Sequence, residues 1–445
     1  MILSVLSLRN ARKPLPVRTY TGNFSPAVDI FITACGEPVE ILKNTILSAI
    51  SIDYQKKKIF ILDDKGDKNL QEFCYQHEVK YFCRPTHENR KAGNLNYGLA
   101  QTSAEFILVL DSDQTTNTKI INDILAYFQD TDVGYVTTCQ QFILPKNDPW
   151  GNSDALFYKA MQASRAHDNA AISTGTGVIY RRKALESIGG FQTWSIVEDL
   201  YTSLCLHAKQ WKSCYLSEPY TLGTAPFDII TQYKQRYQWA VDSLRITFWD
   251  NSLFKKGLSL KQRLQYFILS FHYIITGLFL PFMLILPIWA LMTGYSVLIP
   301  NIWFIYVIIR VQYFFFLELY LRIASSGHST FKAFQMQAGL FPVFFLAILT
   351  ALGSRSKYTA YTVTSKGVNK YSFFKRCERV IPQLMIIAMG IAAIIYNYYF
   401  FAFDFWFTLI NIFWVLWGIM TLSRITLLAL WPGLFINEDK FKIKE

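Results

Sequence analysis

The stretch EFILVLDSDQ (105–114) decides the fold class, because an apolar run of strand length ends there in two carboxylates, Asp111 and Asp113. Helical patterns lie at 39–52 and 90–101. Further β-branched or aromatic runs occupy 28–34 (VDIFITA), 58–64 (KIFILDD) and 133–138 (VGYVTT). Alternating strands and helices predict an α/β domain with a mainly parallel sheet covered on both faces. In such a sheet ligands bind at the carboxyl ends of the strands, where these acids fall.

Pairs of acidic residues recur along this region: Asp63 with Asp64, Asp111 with Asp113, and Glu198 with Asp199. A single aspartate at a strand end is usually a cap or a turn residue. Clustered carboxylates repel one another, so they need a cation or a proton to share a site. A hard divalent ion, held by carboxylate oxygens together with substrate phosphates, meets this need. We therefore expect a metal–nucleotide site that takes Mg²⁺ or Mn²⁺.

The composition indicates a protein with a large membrane part. Charged residues make up only 17% of the 445 residues and hydrophobic residues 52%, a low charge content for a purely soluble protein. The net charge of +12 suits anionic lipid or a phosphorylated substrate. No nucleic-acid-binding signature accompanies the basic residues, so nucleic acid is not an expected partner. The seven cysteines lack metal-type CxxC spacing and are expected to be reduced thiols.

Beyond residue 260, four stretches reach the roughly 20 apolar residues that a membrane span needs. These predicted spans are 273–298, 300–321, 381–402 and 404–423. A fifth stretch, 333–353, has basic residues on both flanks, so the positive-inside rule favours an interfacial or re-entrant segment over a span. The segment 259–274 has a basic start and an apolar remainder, which predicts a helix lying in the membrane surface. With four crossings, the α/β domain, the loop 354–380 and the C-terminus face the cytosol.

Motifs in the α/β region follow a specific order. LDDKGD (62–67), RKAGNLNYGL (90–99) and LDSDQ (110–114) precede STGTGVIYRRKAL (173–185) and VEDLY (197–201). This series resembles family 2 glycosyltransferases with a GT-A fold, and its order is similar to that of bacterial cellulose synthases. The resemblance runs from about residue 26 to residue 430. A DxD motif alone is a weak signal, whereas the ordered series is specific.

The resemblance implies a role for each matching residue. Asp113 is implied as the direct metal ligand, with Asp111 on the metal or the nucleotide. Asp199, beside Glu198, is implied as the general base, because the attacking hydroxyl must lose its proton. A single displacement with inversion follows, so an α-linked donor gives a β-linkage. Taken alone, the Glu198–Asp199 pair could also be helix N-terminal acids that favour the helix dipole. Further implied nucleotide contacts are Asp63, Asp64, Lys91 and Asn94, and implied acceptor contacts are Gly175, Thr176 and Gly177.

The stretch KQRYQWA (234–240) resembles the QxxRW motif of processive members. There the tryptophan stacks under the acceptor sugar, which implies this role for Trp239, and the glutamine corresponds to Gln235. Gln238 stands where the family has the arginine that meets the donor diphosphate, and Arg236 could compensate. The alternative is an amphipathic helix in which the tryptophan belongs to the core.

The stretch YTVTSKG (361–367) resembles the gating loop of cellulose synthases, with Tyr361 in place of phenylalanine. The resemblance implies that Thr364 and Lys366 reach the bound nucleotide, where lysine offers compact positive charge to the leaving group. It also favours UDP-glucose as the donor. The alternative is a basic loop that contacts anionic lipid.

The predicted organisation has three parts: a basic lead (1–25), a cytosolic GT-A domain (26–255), and transmembrane and interfacial helices (256–445) with the gating-type loop. No predicted span precedes the first strand, and four spans are few for a channel, so we expect a partner subunit or a homo-oligomer. No segment follows that would hold the cyclic-di-GMP-binding domain of some cellulose synthases, so regulation by that route is not expected.

Three functions stay open from the sequence. The first is a processive β-glycan synthase in the bacterial plasma membrane that exports its glycan. The second is a transferase that adds one sugar to a lipid carrier or glycolipid, which Gln238 favours and Trp239 opposes. The third is a non-catalytic synthase subunit, which the intact Asp113 and Asp199 argue against.

Overall fold

The computed structural model of the protein describes residues 10–11, 18, 24–144, 156–226, 228–295, 303–324, 330–353, 371–400 and 404–435. Within this part of the chain one sheet forms the centre of the α/β domain, with strand order β3-β2-β1-β4-β7-β6-β8-β5. The strands are β1 (Val28–Ala34), β2 (Lys57–Asp63), β3 (Lys80–Cys83), β4 (Phe106–Asp111), β5 (Thr115–Thr116), β6 (Val133–Ile143), β7 (Val178–Arg181) and β8 (Lys212–Thr224).

The sheet is mainly parallel, as predicted. Strands β3, β2, β1 and β4 run parallel to one another, and β6 runs parallel to β8. Strand β7 is antiparallel to both of its neighbours, β4 and β6, and β5 is antiparallel to β8. The antiparallel β7 brings the glycine-rich segment just before it beside the carboxyl end of β4, where the DxD acids lie.

Helices cover both faces of the sheet because successive residues of a strand point to opposite sides. Ile30 and Ile32 of β1 pack in one core with Ile46, and the intervening Phe31 packs in a second core with Leu95. The helices of this domain are α1 (Val39–Ile50), α2 (Lys68–Gln76), α3 (Arg90–Gln101), α4 (Ile120–Leu125), α5 (Ala163–Ala166), α6 (Arg182–Glu186), α7 (Glu198–Ala208) and α8 (Ile229–Arg245).

The second half of the chain is helical. Its helices are α9 (Leu260–Ile274), α10 (Leu280–Thr293), α11 (Trp303–Ala324), α12 (Phe331–Gly339), α13 (Phe341–Gly353), α14 (Phe373–Arg379), α15 (Ile381–Phe400) and α16 (Phe405–Leu430). Among the described residues, three helical runs are long and apolar enough to cross a membrane: Leu260–Thr293, α15 and α16. Helices α12 and α13 meet at a bend of 52° and together form a broken span or a re-entrant loop. The described part of the predicted span at 300–321 lies in α11, and the span stays a prediction.

The helix predicted at 259–274 is present as α9, and its place in the membrane surface stays a prediction. Helix α9 continues through a π-helical turn (Ile275–Phe279) into α10, so that Leu260–Thr293 is one run of 34 residues. Its first half docks on the α/β domain: Gln265 donates a hydrogen bond to Asp168 at 2.8 Å, and Tyr266 OH lies 2.7 Å from His207 Nδ1. These contacts account for the polar groups of Gln265 and Tyr266 in α9.

Helix α8 joins the α/β domain to the helical second half of the chain. Ile230 and Val241 of α8 pack in one core with Phe344 of α13 and Ile425 of α16. Tyr237 OH also lies 2.8 Å from the hydroxyl of Thr350 in α13. The helix that carries the QxxRW-like motif is therefore fixed between the two halves of the protein.

Candidate active site

Lys91 lies at the centre of the acidic cluster. Its Nζ is 2.5 Å from Asp111 Oδ1 and 3.3 Å from Glu198 Oε1, and it donates a hydrogen bond of 2.9 Å to the Gly175 carbonyl. Burial alone would lower the pKa of the Lys91 ammonium, but Asp111 and Glu198 outweigh it and raise this pKa well above its usual value. Lys91 is therefore a permanent cation that joins the end of β4, the glycine-rich segment and the start of α7.

Asp199 lies beside this lysine at the start of α7. Burial and the neighbouring Glu198 raise the pKa of the Asp199 carboxyl to about 7, although Lys91 opposes the shift. A carboxylate that titrates near neutral pH both takes a proton readily and is ionised in a large fraction of molecules. The environment of Asp199 thus suits a general base.

The pKa of Asp199 predicts an acid limb in the pH profile of activity. Because the base must be ionised and its pKa is raised from 3.8 to about 7, the rate should fall about tenfold for each pH unit below this value. Initial rates of nucleotide release between pH 5 and pH 9, at saturating donor, measure it. A rate that stays constant down to pH 5 would contradict the assignment.

Gly175 keeps its backbone against both charged groups. Its φ is +77°, and an added Cβ would lie 3.0 Å from Asp199 Oδ2 and 3.0 Å from Lys91 Nζ. Glycine is required here for the conformation and for the space.

Gly175→Ala should therefore reduce turnover by roughly 10-fold to 100-fold, because the methyl group displaces both charged groups. Gly189→Ala is the matched control: Gly189 has a φ of +80° but nothing within 4 Å of an added Cβ. Turnover numbers of the two purified variants measure the difference. Equal losses in both would show that backbone strain alone is responsible.

The other predicted acceptor residues shape this segment. Thr176 Oγ1 accepts a hydrogen bond of 3.0 Å from the Asp111 amide. The amide of Gly177 donates to the Val109 carbonyl at 2.9 Å, and Thr138 Oγ1 donates to the Gly177 carbonyl at 2.8 Å. These bonds fix the glycine-rich segment on β4 and β6. Contact with the acceptor stays a prediction for Gly175, Thr176 and Gly177.

The first acidic pair is bound up in local structure. Asp63 accepts hydrogen bonds from the amides of Lys65, Gly66 and Asp67 and, at 2.6 Å, from Tyr81 OH. Its carboxylate thus orders the turn after β2. Contact of Asp63 with a nucleotide stays a prediction.

Asp64 has a partner, Arg84, that no sequence motif indicates. Its carboxylate makes a buried, two-pronged ion pair with Arg84, with Arg84 Nη2 at 2.7 Å from Asp64 Oδ2. Arg84 also donates to the Arg90 carbonyl at 2.9 Å. Asn89 and Arg90 have φ values of 57° and 50°, so Arg84 supports a left-handed turn at the start of α3. The pair therefore positions the helix that carries Lys91.

Asn94 is fixed in the same way. Its side-chain amide donates a hydrogen bond of 2.7 Å to the Leu62 carbonyl. Its Oδ1 is buried, with no hydrogen-bond partner in the described part of the chain, and its diphosphate contact stays a prediction.

The DxD acids differ in their surroundings. Asp111 contacts Lys91, whereas Asp113 is 8% exposed and accepts a hydrogen bond of 3.4 Å from the Thr224 amide. In the described ranges, no group of three or more His, Cys, Asp or Glu side chains could hold a metal ion by itself. Mg²⁺ usually takes one or two carboxylates together with substrate phosphates. The pair therefore fits an ion that binds with the donor.

The QxxRW-like motif presents Trp239 to solvent. The Trp239 side chain is 38% exposed, so the alternative of a core tryptophan is wrong. The Arg236 guanidinium lies 4.8 Å from the centre of the Trp239 ring, and Gln238 is buried while Gln235 is half-buried. Arg236 thus supplies the positive charge beside Trp239. Nucleotide contact stays a prediction for Gln235, Arg236 and Gln238. Thr364 and Lys366 lie outside the described residues.

Comparison with known proteins agrees with this geometry. Residues 26–245 match the profile of the family described as Glycosyltransferase like family 2, and residues 186–427, more than half of the chain, match that described as Cellulose synthase. A mannosyltransferase from Pyrobaculum calidifontis, solved in complex with GDP-Man and Mn²⁺, is similar in fold with a TM-score of 0.56. It is 14% identical, and the match covers 78% of this chain and 93% of that chain.

Several curated relatives are bacterial cellulose synthases. The cellulose synthase 1 catalytic subunit (UDP-forming) of Komagataeibacter xylinus is 34% identical over 57% of this chain and 36% of the relative. Cellulose synthase 2 of Novacetimonas hansenii is 26% identical over 87% of this chain and 25% of the relative. The chain spans well under half the length of these relatives. It belongs to the cellulose synthase family of glycosyltransferases, which confirms the resemblance and the predicted GT-A fold with membrane helices.

Proposed function

We propose that the protein is a membrane-embedded inverting glycosyltransferase that adds sugar from a nucleotide sugar, UDP-glucose in the first place, to a growing β-glycan. The observation that carries this proposal is the contact of Lys91 with Asp111 and Glu198 beside Asp199. The cluster brings a cation for a diphosphate and a base for a hydroxyl to one edge of the sheet.

The chemistry needs one displacement. Asp199 takes the proton of the acceptor hydroxyl while the hydroxyl oxygen bonds to the anomeric carbon of the donor. The bond from that carbon to the diphosphate oxygen breaks, and the electron pair leaves with the diphosphate. Lys91 offers positive charge to this leaving group. Inversion at the anomeric carbon converts an α-linked donor into a β-linked product.

A divalent cation, Mg²⁺ or Mn²⁺, would bind through Asp113 and Asp111 together with the donor phosphates. When bound, it would neutralise negative charge on the leaving diphosphate. The residues present fit this arrangement, because two carboxylates leave room for phosphate oxygens among the ligands.

The position of Trp239 supports an extended glycan as acceptor. An exposed indole face suits the apolar face of a sugar ring. The next two residues of α8, Ala240 and Val241, pack in one core with residues of α13 and α16. A glycan on Trp239 would continue towards the membrane helices, and we propose export by this route. A partner subunit or a second copy of the chain would complete the path, and the basic flanks favour a catalytic domain on the cytosolic side of the bacterial plasma membrane.

The test is an activity assay on the purified, detergent-solubilised protein. Labelled UDP-glucose, UDP-N-acetylglucosamine and GDP-mannose are offered separately with Mg²⁺ or Mn²⁺, and the products are sized. A polymer from one donor, absent with Asp199→Asn, is expected. A single-sugar product that extracts into organic solvent would instead establish glycolipid synthesis. Absence of turnover with every donor would contradict activity of the chain by itself and favour a non-catalytic subunit or one that requires a partner.

A further inference from the structure

A buried ion pair lies outside the cluster of acids described above. Asp242 and Arg245 of α8 are 0% and 1% exposed, and Arg245 Nη1 is 2.9 Å from Asp242 Oδ1. Burying two charges costs desolvation that their attraction often only offsets, so such a pair is weak evidence for stability. Its other contacts therefore indicate what it does.

Asp242 reaches the segment that leads into the proposed base. Its Oδ2 accepts a hydrogen bond of 3.1 Å from Ser195 Oγ and another from the Ile196 amide. Ser195 Oγ accepts in turn from the Val197 amide at 3.2 Å. Val197 precedes Glu198 as the N-cap residue of α7, and its side chain makes no capping hydrogen bond. The start of α7 thus depends on a side chain of another helix.

Arg245 supports the same segment from its aromatic side. Its guanidinium lies 4.7 Å from the centre of the Trp194 ring, and this ring packs against Tyr201 of α7 with 5.1 Å between ring centres. Both members of the ion pair therefore contact the short stretch 194–197. Asp242 contacts Ser195 and Ile196, and Arg245 contacts Trp194.

The same helix carries Trp239, three residues before Asp242. Helical spacing fixes the distance between these two residues. We propose that Asp242 is a positioning residue: through Ser195 and Ile196 it sets the place of Glu198 and Asp199 relative to Trp239. The hydroxyl of an acceptor sugar stacked on Trp239 then lies at a defined distance from its base, Asp199. Small errors in this distance lower the rate strongly. This inference rests on the proposed function.

The first test separates positioning from stability. Asp242→Asn alone removes the carboxylate beside the buried Arg245 guanidinium. The double variant Asp242→Asn/Arg245→Gln therefore accompanies it, together with Ser195→Ala. The turnover number should fall at least 10-fold in the two variants of Asp242 and less in Ser195→Ala. The KM for the donor should stay within about twofold, because the donor contacts are elsewhere.

The control is Asp29→Asn, which breaks another buried ion pair, with Arg182 at 3.5 Å, near the amino end of β1. It should lower the melting temperature while leaving the turnover number of the folded protein unchanged. Wild-type turnover in the double variant and in Ser195→Ala would overturn the inference. A loss no larger than that of Asp29→Asn would do the same.

A second readout does not depend on turnover. Hydrogen exchange at the amides of Ile196 and Val197 should be at least 10-fold faster in the double variant than in the wild type, with exchange in β1 unchanged. Unchanged exchange at these amides would overturn the inference even in an active enzyme. If the wild type shows no sugar transfer, the proposed function is refuted. Faster amide exchange in the double variant would still establish the contact of Asp242 with this segment.

Discussion

Asp199→Asn should lower the turnover number by roughly 10²- to 10⁴-fold, the range that general-base catalysis contributes. The amide has the shape of the carboxylate but cannot take the proton of the acceptor hydroxyl. Because Asp199 is assigned to the acceptor hydroxyl and not to the donor, donor affinity should change little. Initial rates of nucleotide release at saturating donor measure turnover, and calorimetric titration of the donor measures affinity.

The control for this variant is Asp132→Asn, which alters an exposed carboxylate paired with Lys212 at 3.0 Å. It should leave the rate unchanged. Turnover of Asp199→Asn within about threefold of the wild type would remove Asp199 from the mechanism.

Lys91→Met should lower turnover by roughly 10²- to 10³-fold, as expected for the loss of one electrostatic group at a developing charge. The substitution removes the cation that compensates Asp111 and Glu198. It should also move the acid limb of the pH profile upward, because Lys91 lowers the pKa of Asp199. Rates measured from pH 5 to pH 9 test both effects.

Lys212→Met is the matched control, since the Lys212 side chain is 48% exposed and pairs with Asp130 at 3.2 Å. It should leave the rate and the pH profile as they are. A Lys91→Met variant with wild-type turnover would show that the lysine only stabilises the fold.

Individual strands and helices were predictable from the sequence because the order of apolar and polar residues indicates which positions are buried. VDIFITA is buried along its whole length, and the strand has the predicted bounds Val28–Ala34. The helix predicted at 90–101 also has these bounds. The antiparallel course of β7 was not predictable, because direction in a sheet depends on contacts between segments far apart in the chain.

The continuity of α9 and α10 was also missed. Apolar composition alone cannot distinguish a surface helix from one that docks on a folded domain, and Gln262 and Gln265 gave the signal. Gln262 donates a hydrogen bond of 2.7 Å to the Asn169 carbonyl, and Gln265 donates a hydrogen bond to Asp168. Polar side chains on an otherwise apolar face can indicate docking against protein.

The site was predictable where a motif carries its residues and not where a partner comes from elsewhere in the chain. Lys91, Asp111, Glu198 and Asp199 lie together as their motifs imply. Arg84 and Asp242 belong to no motif considered from the sequence, although the charge of Asp64 called for a cation. Their roles follow from buried pairing, which only the fold reveals.

The anomeric configuration of the product tests the central claim most directly. The purified protein is given an α-linked nucleotide sugar with Mg²⁺ or Mn²⁺, and the new linkage is analysed by NMR and by digestion with linkage-specific hydrolases. A single displacement with Asp199 as the base predicts a β-linkage, formed by the wild type and not by Asp199→Asn. An α-linked product, or equal product from the variant, would contradict the account.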